Sequence, residues 1–169
     1  EEEGIELIRY ASSKGINILD CWMADPKSRD VIGKGIHENR SEWFIQGHIG
    51  STWKEGQYYR TRDMQYVKPA FEDLLERLQT DYIDLGMIHY VDSEEEWAQI
   101  QHSDYLDYVM DLKKKGVIRH IGMSSHNPKV AVKAAESGYV EMILFSINPA
   151  FDMLPASDNI DTMFADEYD

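Results

Sequence analysis

Cysteine occurs once, at Cys21, in a chain of 169 residues. One thiol cannot form an internal disulfide, and it cannot supply an all-cysteine zinc site or iron–sulfur cluster. A reducing, intracellular compartment is the default for such a chain, so a cytoplasmic location is expected. No apolar run approaches the roughly 20 residues of a membrane span, and no secretory leader pattern is visible. Basic residues are also scarce: 17 Lys and Arg face 31 Asp and Glu, a formal net charge of −14. Nucleic acids and anionic membranes need concentrated positive charge. Neither is expected as a partner, and the acidity reads as solubility. No glycine-rich dinucleotide or phosphate loop follows any candidate strand, which counts against a doubly wound nucleotide fold.

What remains is ordinary for a globular domain with a core, at 43% hydrophobic and 28% charged residues. Ile5, Leu7, Ile8 and Ala11 fall at helical spacing, and Gly15 suits the left-handed position after a helix end. Residues 16–19 read as a strand ending at Asp20. Pro26 marks a loop, and Ser28 suits the N-cap of a helix running to about His37. Residues 43–49 read as a second strand with His48 near its end. Residues 51–62 read as a long polar loop carrying Trp53, Tyr58 and Tyr59, the kind of connection that often serves a site.

A helix follows to Leu78 with Val67, Phe71, Leu74, Leu75 and Leu78 inward, and Pro69 either starts or kinks it. Residues 83–88 are short, apolar and β-compatible, like a strand covered on both faces, and they lead into His89. Ser93-Glu-Glu-Glu96 resembles a capping box, opening one helical stretch that reaches Lys113-Lys-Lys-Gly116. Residues 117–123 form a fourth strand leading to Ser124, Ser125 and His126. Asn127-Pro128 opens a helix, and residues 140–147 form a fifth strand leading to Asn148. The segment 152–169 has six acidic and no basic residues, and reads as an acidic loop or the start of another helix.

Strict helix–strand alternation predicts an α/β chain with a parallel sheet and right-handed crossovers. The strand spacing is that of (β/α)-barrel units. A complete (β/α)8 TIM barrel typically takes about 250 residues. The whole chain, 1–169, is therefore expected to form a single, partial barrel domain of five βα units. Both ends look cut.

In a parallel barrel every strand's carboxyl end faces one mouth. Asp20 with Cys21, His48, His89, then Ser124, Ser125 and His126, then Asn148 sit there. His37, His102 and His120 fall elsewhere and read as ordinary. Two chemistries suit the set. One is a metal-dependent hydrolase or lyase using Asp20, Asp25, His48, His89 and His126. The other is proton and hydride chemistry on a carbonyl, with His and Asp handling protons.

The order and spacing of several segments resemble the aldo-keto reductase family. They are Gly15-Ile-Asn-Ile-Leu-Asp20, Ile32-Gly-Lys-Gly-Ile36, Leu78-Gln-Thr-Asp-Tyr-Ile-Asp-Leu85, Ile88-His89, Lys115-Gly-Val-Ile-Arg-His-Ile-Gly-Met-Ser124 and Asn148-Pro149. The likeness covers nearly the whole chain and points to a bacterial branch whose members often carry a C-terminal iron–sulfur module; any such cluster would lie outside this chain. The resemblance implies barrel strands two to six, a small-molecule carbonyl substrate and NADP(H). It also implies a catalytic set of tyrosine, lysine, aspartate and histidine. Asp20 matches the aspartate and His89 the histidine. The tyrosine position falls on Asp25 and the lysine position on His48. Cofactor contacts are implied at Ser124, Ser125 and Asn148, although Ser125 stands where asparagine is usual and Leu144 where glutamine is usual.

These departures change the chemistry. Keeping Asp25 protonated at neutral pH needs a shift of about three pKa units, or roughly 4 kcal/mol. His48 is the better substitute acid, and Tyr58 or Tyr59 offers a phenol from the long loop. By itself the 169-residue chain is expected to bind NADPH only weakly, because barrel phosphate sites come mainly from later strands. A third reading is a barrel fragment that acts in binding or assembly, with open sheet edges that promote self-association.

Overall fold

The structure, a computed structural model, describes residues 1–147. Asn148 and the acidic segment 152–169 lie outside the described residues. Five parallel strands form one sheet: β1 (Ile18–Cys21), β2 (Phe44–Ile49), β5 (Ile83–Ile88), β6 (Ile118–Ser125) and β7 (Met142–Phe145), neighbours in that order. A separate antiparallel pair, β3 (Ser51–Lys54) and β4 (Gln57–Arg60), follows β2. The helices are α1 (Glu2–Ser13), α2 (Pro26–Ile36), α3 (Met64–Leu78), α4 (Glu94–Ile100), α5 (Asp104–Lys114) and α6 (Pro128–Glu136). The result is part of a (β/α)8 barrel. Among the described residues no helix is long and apolar enough to cross a membrane.

Local sequence explains most element ends. Asp63, Ser93, Ser103 and Asn127 each accept a backbone N–H two or three residues on, satisfying first-turn donors that have no helical partner. Gly15 takes φ +84 just after α1, the left-handed backbone that favours glycine. Helix α3 runs through Pro69 without a break. Its Val67, Phe71, Leu74 and Leu78 are buried with Ile45, Ile49, Ile83 and Ile88 from the sheet. Burying one such side chain stabilises the fold by about 1.5–3 kcal/mol. Gly33 on α2 allows close approach to α3, since a Cβ there would lie 2.0 Å from the Arg77 carbonyl oxygen.

Four expectations need correction. Residues 51–62 are mostly a β-hairpin rather than a loop. Glu55 and Gly56 both take positive φ, 52 and 79, as a tight two-residue hairpin turn requires. Helix α2 begins at Pro26, two residues earlier than Ser28; Asp25 is the cap and Ser28 supplies the capped N–H. The stretch from Ser93 is two helices, because Ser103 caps a second start. The capping box at Ser93 is half made. Ser93 accepts the Glu96 N–H at 3.3 Å, but the Glu96 carboxylate pairs with Arg60 and Arg62 instead.

The amino-terminal ends of the strands hold a charged clamp. Asp84, buried on β5, accepts from Arg119 at 2.8 Å, from Arg40 at 3.1 Å and from the Ile45 N–H at 3.0 Å. The Tyr82 ring lies 4.3 Å from the Arg40 guanidinium carbon and 4.2 Å from that of Arg119. In barrels this end serves stability, and chemistry gathers at the other.

Candidate active site

Side chains alternate between sheet faces with period two. On β2, a Cβ at Gly47 would meet Leu74 of α3 and Ile83, so Gly47 faces the helix layer and its neighbour His48 faces the barrel interior. His48 is buried, as is His89 just beyond β5. The two rings meet directly, Nδ1 to Nδ1, at 2.8 Å. On the far side of His89, Nε2 lies 2.6 Å from the Tyr58 hydroxyl. On the far side of His48, Nε2 lies 3.0 Å from Asp20 Oδ1. That last contact is off the N–H axis, and His48 Nε2 has no aligned hydrogen-bond partner among the described residues. Asp20, His48, His89 and Tyr58 thus form a continuous chain of polar contacts from three sheet strands and the hairpin.

The hairpin selects Tyr58 over Tyr59. Trp53 pairs with Tyr58 and Thr52 with Tyr59 in the β3–β4 register. Alternation then turns Tyr58 and Arg60 inward, and Tyr59 outward to pack edge-on against Tyr66 at 6.0 Å. The hairpin is fixed to the mouth at its base. Arg60 donates to the Tyr90 carbonyl at 3.1–3.2 Å, and Arg62 donates to the carbonyls of His89 and Tyr90. Trp22 packs edge-on against Tyr58 at 5.7 Å.

Burial tunes both ends of the Tyr58–His89 contact. The His89 pKa is pushed down to about 2, first by burial and then by the charges of His48, Arg62, Arg60 and His126. Burial pushes the Tyr58 phenol up to about 12, with Tyr90 adding and Arg60 and Arg62 opposing. His89 therefore rests neutral and Tyr58 rests protonated at neutral pH.

The other candidates separate. Asp25 caps α2 through Ser28 N at 2.9 Å and Ser28 Oγ at 2.8 Å. Those bonds hold its carboxyl below the usual range, which removes the physical basis for Asp25 as an acid. Ser124 shares the parity of Gly122, where a Cβ would meet Met87 and Met142, and its buried hydroxyl has no hydrogen-bond partner among the described residues. Ser125, one residue on, points the other way. It contacts Asp92 Oδ1 at 3.3 Å and accepts the Asn127 N–H at 3.1 Å. It is thereby tied into the turn before α6, away from Ser124. His126 joins Asp92 instead, with Nδ1 2.9 Å from Oδ2. Despite the cost of burying it, Asp92 is held ionised by the His126 and Ser125 hydrogen bonds.

The metal-centred alternative finds no support in this geometry. The Nδ1 atoms of His48 and His89 face one another, His89 Nε2 faces Tyr58, and His126 is paired with Asp92. Among the described residues no group of three or more His, Cys, Asp or Glu is arranged to hold a metal ion. The anchors Arg60 and Arg62 were not singled out from sequence, and Glu96 was read only as part of a capping box. The readable signal for them was Glu55-Gly56 between two β-compatible quartets, which marks a hairpin and fixes the parity of Arg60.

The Aldo/keto reductase family matches residues 1–165. An uncharacterized oxidoreductase of Bacillus subtilis is 27% identical over 159 residues, covering 92% of this chain and 50% of that protein. Glyoxal reductase of the same organism is 34% identical over 140 residues, covering 79% and 45%. In structure, an aldo-keto reductase of Bacillus halodurans in its holo form matches with a TM-score of 0.70 at 25% identity, over 85% of this chain and 48% of that one. The chain spans about half the length of these relatives.

Proposed function

This chain belongs to the aldo/keto reductase family, and from that premise we propose that it carries the proton-handling side of a site that reduces a small-molecule carbonyl with NADP(H), or oxidises the alcohol in reverse. The observation that carries the reading is the convergence of Asp20, His48 and His89 from three neighbouring strands at the carboxyl mouth, with the Tyr58 phenol closing the row. Such a row can bind a developing oxyanion and exchange a proton with it.

Ser124 fits the cofactor. Its buried hydroxyl, on the interior face and without a partner among the described residues, suits a carboxamide, which needs both a donor and an acceptor. A bound reduced nicotinamide supplies the hydride. The chain's own residues do the rest: Ser124 orients the ring, and His89 and Tyr58 hold the substrate oxygen. Asp20 and His48 set the charge behind them. Ser125, occupied with Asp92 and Asn127, is not given a cofactor role.

The test uses the complete natural protein, an aldehyde and ketone panel, and NADPH oxidation followed by absorbance. Turnover with at least one carbonyl is expected. Ser124→Ala is expected to weaken NADPH binding by roughly 2–10-fold in a fluorescence titration, the value of one hydrogen bond. Absence of nucleotide oxidation across the panel would refute the reading.

A further inference from the structure

The four-residue contact row has an order that matters. Tyr58 is its only member on the hairpin, and the only one whose acidic hydrogen can point either into the row or out into the mouth. The atoms admit two hydrogen-bond directions. If His48 carries protons on both nitrogens beside the Asp20 carboxylate, its Nδ1–H donates to His89 Nδ1. His89 then carries its proton on Nε2 and donates to the Tyr58 oxygen, which frees the Tyr58 O–H for a substrate. If His48 is neutral with its proton on Nε2, every bond reverses: His89 Nδ1–H donates to His48, and the Tyr58 O–H donates to His89 Nε2. These two arrangements differ by one proton passed along the row.

We propose that Tyr58, delivered from the hairpin, donates the proton to the substrate oxygen, and that His89 and then His48 refill it in series. This rests on the carbonyl-reduction reading above. As the carbonyl carbon gains a hydride, its oxygen takes the Tyr58 proton. The phenolate oxygen takes the His89 Nε2 proton, and His89 Nδ1 takes the His48 Nδ1 proton. His48 loses its positive charge as the substrate oxygen loses its developing negative charge. The hydride would come from the reduced nicotinamide, which leaves oxidised, and His48 regains its proton from water, so carbonyl, hydride and one proton give the alcohol.

The surroundings suit each step. His89 resists a second resting proton, so it transmits without storing charge. The two arginines that fix the hairpin, through the carbonyls of His89 and Tyr90, hold donor and acceptor at 2.6 Å, within the reach of proton transfer. Tyr58 is catalytic in this scheme. His48 acts through His89 and is a positioning residue. The charged and titratable groups around the row are Asp20 on β1, Arg60 on β4, Arg62 before α3, and Tyr90 and His126 at the mouth.

The experiment compares the complete natural protein with Tyr58→Phe, Tyr59→Phe and His48→Gln. Tyr58→Phe is expected to lower kcat by about 100-fold or more, the usual value of a general acid, with NADPH binding unchanged. Tyr59→Phe is expected to behave as wild type. His48→Gln is expected to lower kcat more than it changes KM, as a residue acting through His89 should. Independently of turnover, nitrogen-15 spectra of the imidazoles should show the His89 Nε2 signal shifting in Tyr58→Phe. An active wild type whose Tyr58→Phe variant stays within about twofold, well below a general acid's contribution, overturns the inference and leaves the reductase reading standing. An unmoved His89 Nε2 signal also overturns it. A wild type inert toward every carbonyl takes down both.

Discussion

His89 should make this protein lose stability in mild acid, and the size follows from its burial. Its ordinary pKa is 6.5, and in the fold it is pushed down to about 2 by burial and by His48, Arg62, Arg60 and His126. Above pH 6.5 the ring is neutral whether the chain is folded or not, and it contributes no pH dependence. Below 6.5 the unfolded chain takes up a proton that the folded chain refuses. Stability then falls by about 1.4 kcal/mol per pH unit until the folded pKa is reached. Between about pH 7.5 and about pH 5 the loss amounts to about 2 kcal/mol. Urea unfolding of wild type and His89→Gln across that range isolates the effect, because groups common to both chains cancel in the difference. Wild type should lose about 2 kcal/mol relative to the variant on acidification. Curves that stay parallel to within about 0.5 kcal/mol, the ordinary scatter of additive effects, would refute the claim that His89 is held neutral by its surroundings.

Two further perturbations test the frame that holds the site. Asp84→Ala removes the carboxylate shared by Arg40, Arg119 and the Ile45 N–H, leaving the largely buried Arg40 without its counter-charge. A loss of about 3–5 kcal/mol is expected in denaturant unfolding, and a loss under about 1 kcal/mol would place Asp84 with ordinary surface pairs. Gly33→Ala would set a methyl 2.0 Å from the Arg77 carbonyl oxygen, so α2 and α3 must separate. The melting temperature should drop by an amount equivalent to at least about 1–3 kcal/mol, and an unchanged melting temperature would show that the helices are not in contact there.

Much of the architecture was legible in the residues. The alternation of 3.6- and 2-residue patterns specified a parallel sheet, because strands separated by helices can return only in the same direction. Strand ends located Asp20, His48 and His89 at one mouth for the same reason. The N-caps at Ser93 and Asn127 followed from side-chain oxygens beside first-turn donors. Asp25, by contrast, was expected as a proton donor from the resemblance alone, and only the fold revealed its carboxylate engaged with the first turn of α2.

What the sequence alone determined, then, was which groups reach the mouth; tertiary structure decided which of them face one another. Adjacent serines and adjacent tyrosines are equivalent as letters, yet one residue of register reverses a β side chain's direction. That reversal sends Ser124 inward, without a partner among the described residues, and Ser125 into a turn, and it sends Tyr58 to His89 and Tyr59 to Tyr66. The 2.8 Å contact between His48 and His89 joins residues 41 positions apart and exists only because β2 and β5 are neighbours in the sheet. Nothing local in the chain encodes that adjacency. The hydrophobic packing of the sheet against its helices does.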